Sequence, residues 1–111
     1  MDLQISEVSG VTKAALAGRL DTAAVNGLES RFAASLVPVG KSAIVDLSNV
    51  TFIASLGIRM LLSVARGLGG RGARFALYGA NPAVLEIIET TAISDIIPVV
   101  ASETEAVAAV A

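Results

Sequence analysis

The sequence predicts a single α/β domain (residues 1–111) with a small, mixed and mostly parallel β-sheet flanked by α-helices. Its 111 residues suit one domain and leave little room for two. Apolar residues make up 54% and charged residues 16%, which is typical of a chain with a large core and argues against disorder. Short apolar runs alternate with segments of helical periodicity, and this predicts the order β-β-α-β-α-β-α-β-α.

An antiparallel hairpin opens the predicted fold. Residues 3–8 and 11–17 form its strands, and Ser9-Gly10 turns the chain between them. Asp21 or Thr22 then caps a helix. The buried face of that helix consists of four apolar residues at helical spacing: Val25, Leu28, Phe32 and Leu36.

A second strand and helix follow. Residues 43–46 form a short buried strand, and Asp46 and Ser48 are expected in the turn after it. Ser55 begins the next apolar-periodic run, so its hydroxyl is predicted to cap the helix by accepting a hydrogen bond from a first-turn amide. The same helix end attracts anions because its dipole and unpaired amides are positive there. Gly57 is expected to allow close backbone approach near the helix start.

The helix that begins near Ser55 has more than one apolar face. At about 100° per residue, one side should pack on the sheet: Ile58, Leu61, Leu62, Ala65 and Leu68. A second apolar stripe lies beside it, formed by Leu56, Met60 and Val64, and a narrow polar strip is formed by Arg59, Ser63 and Arg66. The stripe has two interpretations: a helix buried on two sides, or a partner-binding edge.

The remaining elements carry clear boundary signals. A strand over residues 74–78 leads into a helix with Asn81 as its cap and Pro82 at its first position. A short strand over residues 96–100 is interrupted by Pro98, which is typical of a sheet edge. Ser102 begins a terminal helix with a capping-box pattern.

Composition excludes several classes of function. The chain has no Cys and no His, which removes disulfides, thiol nucleophiles, imidazole metal sites and His-based triads. A net charge of −2 with one Tyr, three Phe and no Trp argues against nucleic-acid binding. No apolar run approaches the ~18 to 20 residues of a membrane span, and the start of the chain lacks signal-peptide features. We therefore expect a cytoplasmic protein without membrane insertion, cofactor or metal.

Three motifs carry a family resemblance that extends over nearly the whole chain. Residues 46–57 read Asp-Leu-Ser-Asn-Val-Thr-Phe-Ile-Ala-Ser-Leu-Gly. Residues 18–21 read Gly-Arg-Leu-Asp, and Tyr78 is followed by Gly-Ala-Asn-Pro. In this order the motifs resemble those of the STAS-domain family, more narrowly of bacterial anti-sigma-factor antagonists. The family usually has Asp before the serine and Ser after it, where this chain has Ala54 and Leu56.

The resemblance implies a switchable interaction module. In such antagonists the unmodified form binds an anti-sigma-factor serine kinase and frees a sigma factor, and phosphorylation of one serine switches binding off. By position that serine is Ser55, and Asp21 is the acid beside it. The resemblance implies the kinase and a phosphatase as partners. The expected partner-binding set is Asp21, Ser55, Leu56, Gly57, Met60 and Val64.

Two other functions compete with this one. A stand-alone STAS subunit of a signalling scaffold or lipid-transport complex would use the stripe of Leu56, Met60 and Val64 as a constitutive contact, without a phosphoswitch. An enzyme with Ser55 as nucleophile would need a base, but the chain has no His and its only lysines, Lys13 and Lys41, lie outside the motif. We therefore expect no catalytic residues. From spacing alone Ser55 is a helix cap, and the resemblance favours a regulatory role.

Overall fold

The computed structural model describes residues 1–111 and contains five strands and four helices. The strands are β1 (Asp2–Val8), β2 (Val11–Leu20), β3 (Ala43–Ile53), β4 (Phe75–Tyr78) and β5 (Val99–Val100). The helices are α1 (Thr22–Leu36), α2 (Ser55–Gly69), α3 (Pro82–Thr90) and α4 (Glu103–Val110). This confirms the predicted order. A 3₁₀ turn at Ile93–Asp95 was not predicted, and the last strand is shorter than expected, since residues 96–98 lie outside it.

The sheet has the order β1-β2-β3-β4-β5, with β1 antiparallel to β2 and the other neighbours parallel. Ser9 and Gly10 both have positive φ, 51° and 81°, in the turn between β1 and β2. Positive φ at both central positions is the hairpin geometry whose twist matches that of the strands. The predicted hairpin and the mostly parallel sheet are therefore confirmed.

The two faces of the sheet are covered unequally. One large core cluster joins the sheet to α1, α2 and α3, whereas α4 lies on a small cluster that includes Ile44, Tyr78 and Val110.

A polar cluster holds the start of α4 against the sheet. Lys13 Nζ lies 2.7 Å from Glu103 Oε2, and the Tyr78 hydroxyl donates to the same oxygen at 3.0 Å. Burial raises the pKa of Tyr78 to about 12. The hydrogen bond between Lys13 and Glu103 raises the pKa of the lysine and lowers that of the glutamate.

Strand β3 continues through the segment predicted to be a turn. The Asp46 Oδ1 atom accepts hydrogen bonds from the Ser48 amide at 2.9 Å and the Ser48 hydroxyl at 2.6 Å. At this point the pairing moves from Ala15↔Asp46 to Ala17↔Asn49, so β3 contains one more residue than β2. The turn-forming residues thus make a bulge within a longer strand, and the prediction that the strand ends at Asp46 is wrong.

Helix α2 is buried on two sides. Met60 and Val64 are only 2% and 1% exposed, and both belong to the main core cluster. Leu62 and Ala65, placed on the sheet-facing side by the sequence, are half-buried. The reason is that α2 packs against α1 as well as the sheet, so its buried face is wider than the sheet alone requires. The interpretation of Met60 and Val64 as a partner-binding edge is therefore wrong.

Candidate functional site

The candidate site lies where β2 and β3 end. Because these strands are parallel, the segments that follow them leave the sheet at the same edge. Asp21 directly follows β2, and Ala54 and Ser55 directly follow β3. A hydrogen bond from the Ala54 amide to the Leu20 carbonyl, 2.9 Å long, holds the two segments together. The structure thus brings the predicted loop acid and the predicted serine to one corner of the domain.

Ser55 does not cap α2. The N-cap is Ala54, whose carbonyl accepts the first intrahelical hydrogen bond from Ile58 at 3.1 Å. The chain therefore enters the helix one residue earlier than predicted, and Ser55 is the first helical residue. No side chain hydrogen-bonds to the first-turn amides. The prediction of a serine cap is wrong, and the exposed Ser55 hydroxyl is left without a structural role at the helix start.

Asp21 has the capping role that the sequence predicts. It is the N-cap of α1, and its Oδ1 atom accepts a hydrogen bond from the Ala24 amide at 2.9 Å. Its other carboxylate oxygen lies 3.8 Å from Arg19 Nε, and both side chains are well exposed. The Arg19 guanidinium also lies 4.5 Å from the centre of the Phe52 ring, a contact that the sequence analysis missed. Asp21 therefore stabilises a helix and also presents negative charge beside the Ser55 segment.

Gly57 positions the first turn of α2. A Cβ atom at this residue would lie 3.0 Å from side-chain atoms of both Leu20 and Ile53. The helix start therefore rests directly on the ends of β2 and β3, which confirms the expected close backbone approach. Gly57 is itself buried, as are Met60 and Val64, so these three residues hold the site from within rather than contact a partner.

A third loop is tied to the same edge by Asn81. Its side chain caps α3 by accepting from the Val84 amide at 2.9 Å, as predicted. Its Nδ2 atom also donates to the Val50 carbonyl at 3.1 Å. This second bond joins the loop after β4 to β3, a long-range contact that no local pattern in the sequence reveals.

The accessible chemistry of this corner includes the Ser55 alcohol beside the Asp21 carboxylate, and the exposed Thr22 hydroxyl follows that carboxylate in the chain. Ser55 is exposed, Leu56 is half-buried and Asp21 is partly exposed. No group of three or more acidic side chains in the structure is placed to hold a metal ion. None of the helices combines the length and apolar character needed to cross a membrane. An accessible alcohol can accept a phosphoryl group from an external enzyme.

Comparison with known proteins identifies the family. The STAS domain family model matches residues 2–106. The chain belongs to the STAS domain family. A relative of this STAS domain in Bordetella bronchiseptica, named as the anti-sigma factor antagonist BtrV, is 30% identical over 109 residues, which are 98% of this chain and 94% of the relative.

Solved structures share the fold of this STAS domain. An anti-sigma factor antagonist from Mycobacterium paratuberculosis gives a TM-score of 0.87 at 24% identity, with 98% of this chain and 92% of that chain covered. Unphosphorylated SpoIIAA gives 0.77 at 22% identity, covering 96% and 93%. The phosphorylated form of SpoIIAA from Bacillus gives 0.70 at 21% identity, covering 97% and 98%. The predicted family and fold are confirmed.

Proposed function

We propose that this STAS domain is an anti-sigma-factor antagonist whose unphosphorylated form binds an anti-sigma-factor serine kinase and so frees a sigma factor. Phosphorylation of Ser55 by that kinase ends the binding. The observation that carries the proposal is the exposed Ser55 hydroxyl at the first position of α2, which does not cap the helix. The names of the relatives, anti-sigma factor antagonists, support the same function.

The switch acts at the surface rather than by unfolding the domain. A phosphate adds about −1.5 to −2 charges and three strong acceptors. At the start of α2 this charge is tolerated, because the helix dipole is positive there and no side chain occupies the first-turn amides. A partner packed against a small alcohol would instead have to bury a hydrated dianion. Such uncompensated burial costs several kcal/mol, which is enough to release the partner.

The partner-contact set that we propose is smaller than the one predicted from the sequence. Asp21, Ser55 and Leu56 are accessible and form the proposed contact. The alternative function, a constitutive STAS subunit of a scaffold or lipid-transport complex, relied on the apolar stripe along α2. With Met60 and Val64 in the core, that stripe offers only Leu56. We propose further that a phosphatase resets the switch, since a phosphate on the tip of α2 would remain open to solvent.

The test compares baits with substitutions at Ser55 and at one control serine. Ser55→Ala should retain the kinase in an affinity pull-down, whereas Ser55→Asp should lose it. Ser30→Asp is the matched control, because it makes the same substitution at an exposed position of α1. Incubation of the wild-type domain with the captured kinase and ATP, followed by phosphosite mapping, should find phosphate on Ser55. Phosphate elsewhere, no phosphate, or equal capture by all three baits would contradict the proposal.

A further inference from the structure

Charged residues are sharply segregated along this chain. Residues 47–85 contain four arginines and no acidic residue, whereas residues 86–111 contain five acidic residues and no basic one. The domain's three ion pairs involve Lys13, Arg19 and Lys41, and none involves an arginine of the 47–85 segment. The arginines of that segment therefore have no acidic side chain as an ion-pair partner.

Two of these arginines lie on the outer face of α2, in line with the candidate site. The four exposed residues Ser55, Arg59, Ser63 and Arg66 are separated by four, four and three positions, so they fall within an arc of about 80°. They span about 16 Å along the helix axis. We call these four residues the α2 strip. It has two positive charges and no acidic residue among its own members, with Ser55 at its first position; Asp21 lies at the same corner as Ser55.

We propose that the α2 strip is the electrostatic docking surface for an acidic face of the partner that binds at Ser55. This inference rests on the function proposed above and adds the chemistry of the partner. Charge complementarity supports an acidic occupant, because unpaired arginines on one helix face attract carboxylates and speed association. The strip is continuous with the proposed contact at Ser55, which supports the same partner. A protein that contacts Ser55 from the outer face of α2 also meets Arg59 one turn away.

The two arginines of the α2 strip give phosphorylation of Ser55 a second effect on binding. A phosphate on Ser55 places about −1.5 to −2 charges at a position i, i+4 from Arg59. That charge roughly cancels the two arginines, so the surface that attracts an acidic partner becomes nearly neutral. Phosphorylation thus removes the long-range attraction as well as the local fit around the hydroxyl.

The experiment measures association rates with the kinase captured by the Ser55→Ala bait. At low salt, Arg59→Gln and Arg66→Gln should each lower the rate by about twofold to fivefold. The double variant should lose most of the salt dependence of the wild-type domain between 50 and 500 mM NaCl. Lys41→Gln is the matched control and should have no effect, because Lys41 is already paired with Glu7 at 2.9 Å.

Ser63→Asp separates this inference from the function on which it rests. It adds a negative charge between the two arginines and leaves Ser55 intact, so the strip predicts slower association. If Ser55→Asp abolishes binding while Ser63→Asp and the arginine variants leave the association rate unchanged, the docking role of the α2 strip is overturned and the proposed function stands. If no kinase is captured, both are overturned. Arginine-dependent self-association in sedimentation, or arginine-dependent binding to phosphatidylserine vesicles in place of the kinase, would also overturn the assignment.

Discussion

Replacing Ala54 by Asp should stabilise the domain. Ala54 is the N-cap of α2, with φ −91° and ψ 168°, and no side chain caps this helix. Asp21 occupies the equivalent position of α1 with φ −91° and ψ −178° and accepts a hydrogen bond from the third helical amide. The backbone at Ala54 is therefore already arranged for an aspartate, which would accept from the corresponding amide of Gly57.

The expected gain follows from the two missing interactions. A capping hydrogen bond is worth about 0.5 to 2 kcal/mol relative to alanine. A carboxylate at a helix N-terminus adds about 0.3 to 1 kcal/mol at low salt. Nearby Asp21 opposes part of this second contribution by charge repulsion, so we expect a net gain of about 1 kcal/mol. With an unfolding entropy of about 2.1 cal/mol/K per residue, a domain of this size gains roughly 4 °C in Tm.

Thermal unfolding of four proteins tests this reasoning. Ala54→Asp and Ala54→Asn should both raise Tm, and only the aspartate should lose part of its gain in 0.5 M NaCl. Asp21→Ala, which removes the existing cap of α1, should lower Tm by a similar amount. If neither substitution at Ala54 raises Tm while Asp21→Ala lowers it, then the first turn of α2 does not need a capping side chain and the argument fails.

Two further predictions concern packing and pH. Gly57→Ala should destabilise the domain by about 1 kcal/mol or more, because its Cβ would lie 3.0 Å from buried side chains. A Cβ added at Gly27 in α1 meets nothing within 4 Å, so Gly27→Ala should stabilise the domain by about 0.5 to 1 kcal/mol. Equal urea midpoints for the Gly57→Ala and Gly27→Ala variants would contradict this reasoning. Burial raises the pKa of Tyr78 from 10.0 to about 12, so the folded state holds this proton more tightly. The stabilisation that this proton contributes should be fully present below pH 10 and should be lost as the pH rises toward 12. Tyr78→Phe should therefore reduce the decline of the unfolding free energy over this range, measured in urea titrations.

The sequence predicts the architecture well because its signals are local. Each helix except α2 has its capping residue at the predicted place: Asp21, Asn81 and Ser102. The turn at Ser9-Gly10 likewise has the backbone angles that its residues favour. Caps and tight turns depend on a few neighbouring residues, so a pattern of residue types is enough to locate them.

The features that the sequence did not predict depend on contacts between distant segments. Burial of Met60 and Val64 requires knowing that α1 covers a second side of α2. The continuation of β3 past Asp46 depends on its pairing with β2, which absorbs the turn residues as a bulge. The helix start at Ala54 is fixed by its hydrogen bond to the Leu20 carbonyl. Each of these corrections involves a partner far away in the chain.

Because Ser55 is not the cap of α2, its regulatory role can be tested without removing a helix cap. A capping serine would couple every Ser55 variant to a loss of helix stability, and weaker binding would then have two explanations. Because Ala54 is the cap and Ser55 is exposed, substitution of Ser55 should change stability by no more than about 0.5 kcal/mol. Asp21 is different, since its carboxylate both caps α1 and faces solvent. Asp21→Asn keeps the cap and removes the charge, so any change in binding in this variant would reflect the charge rather than loss of the cap.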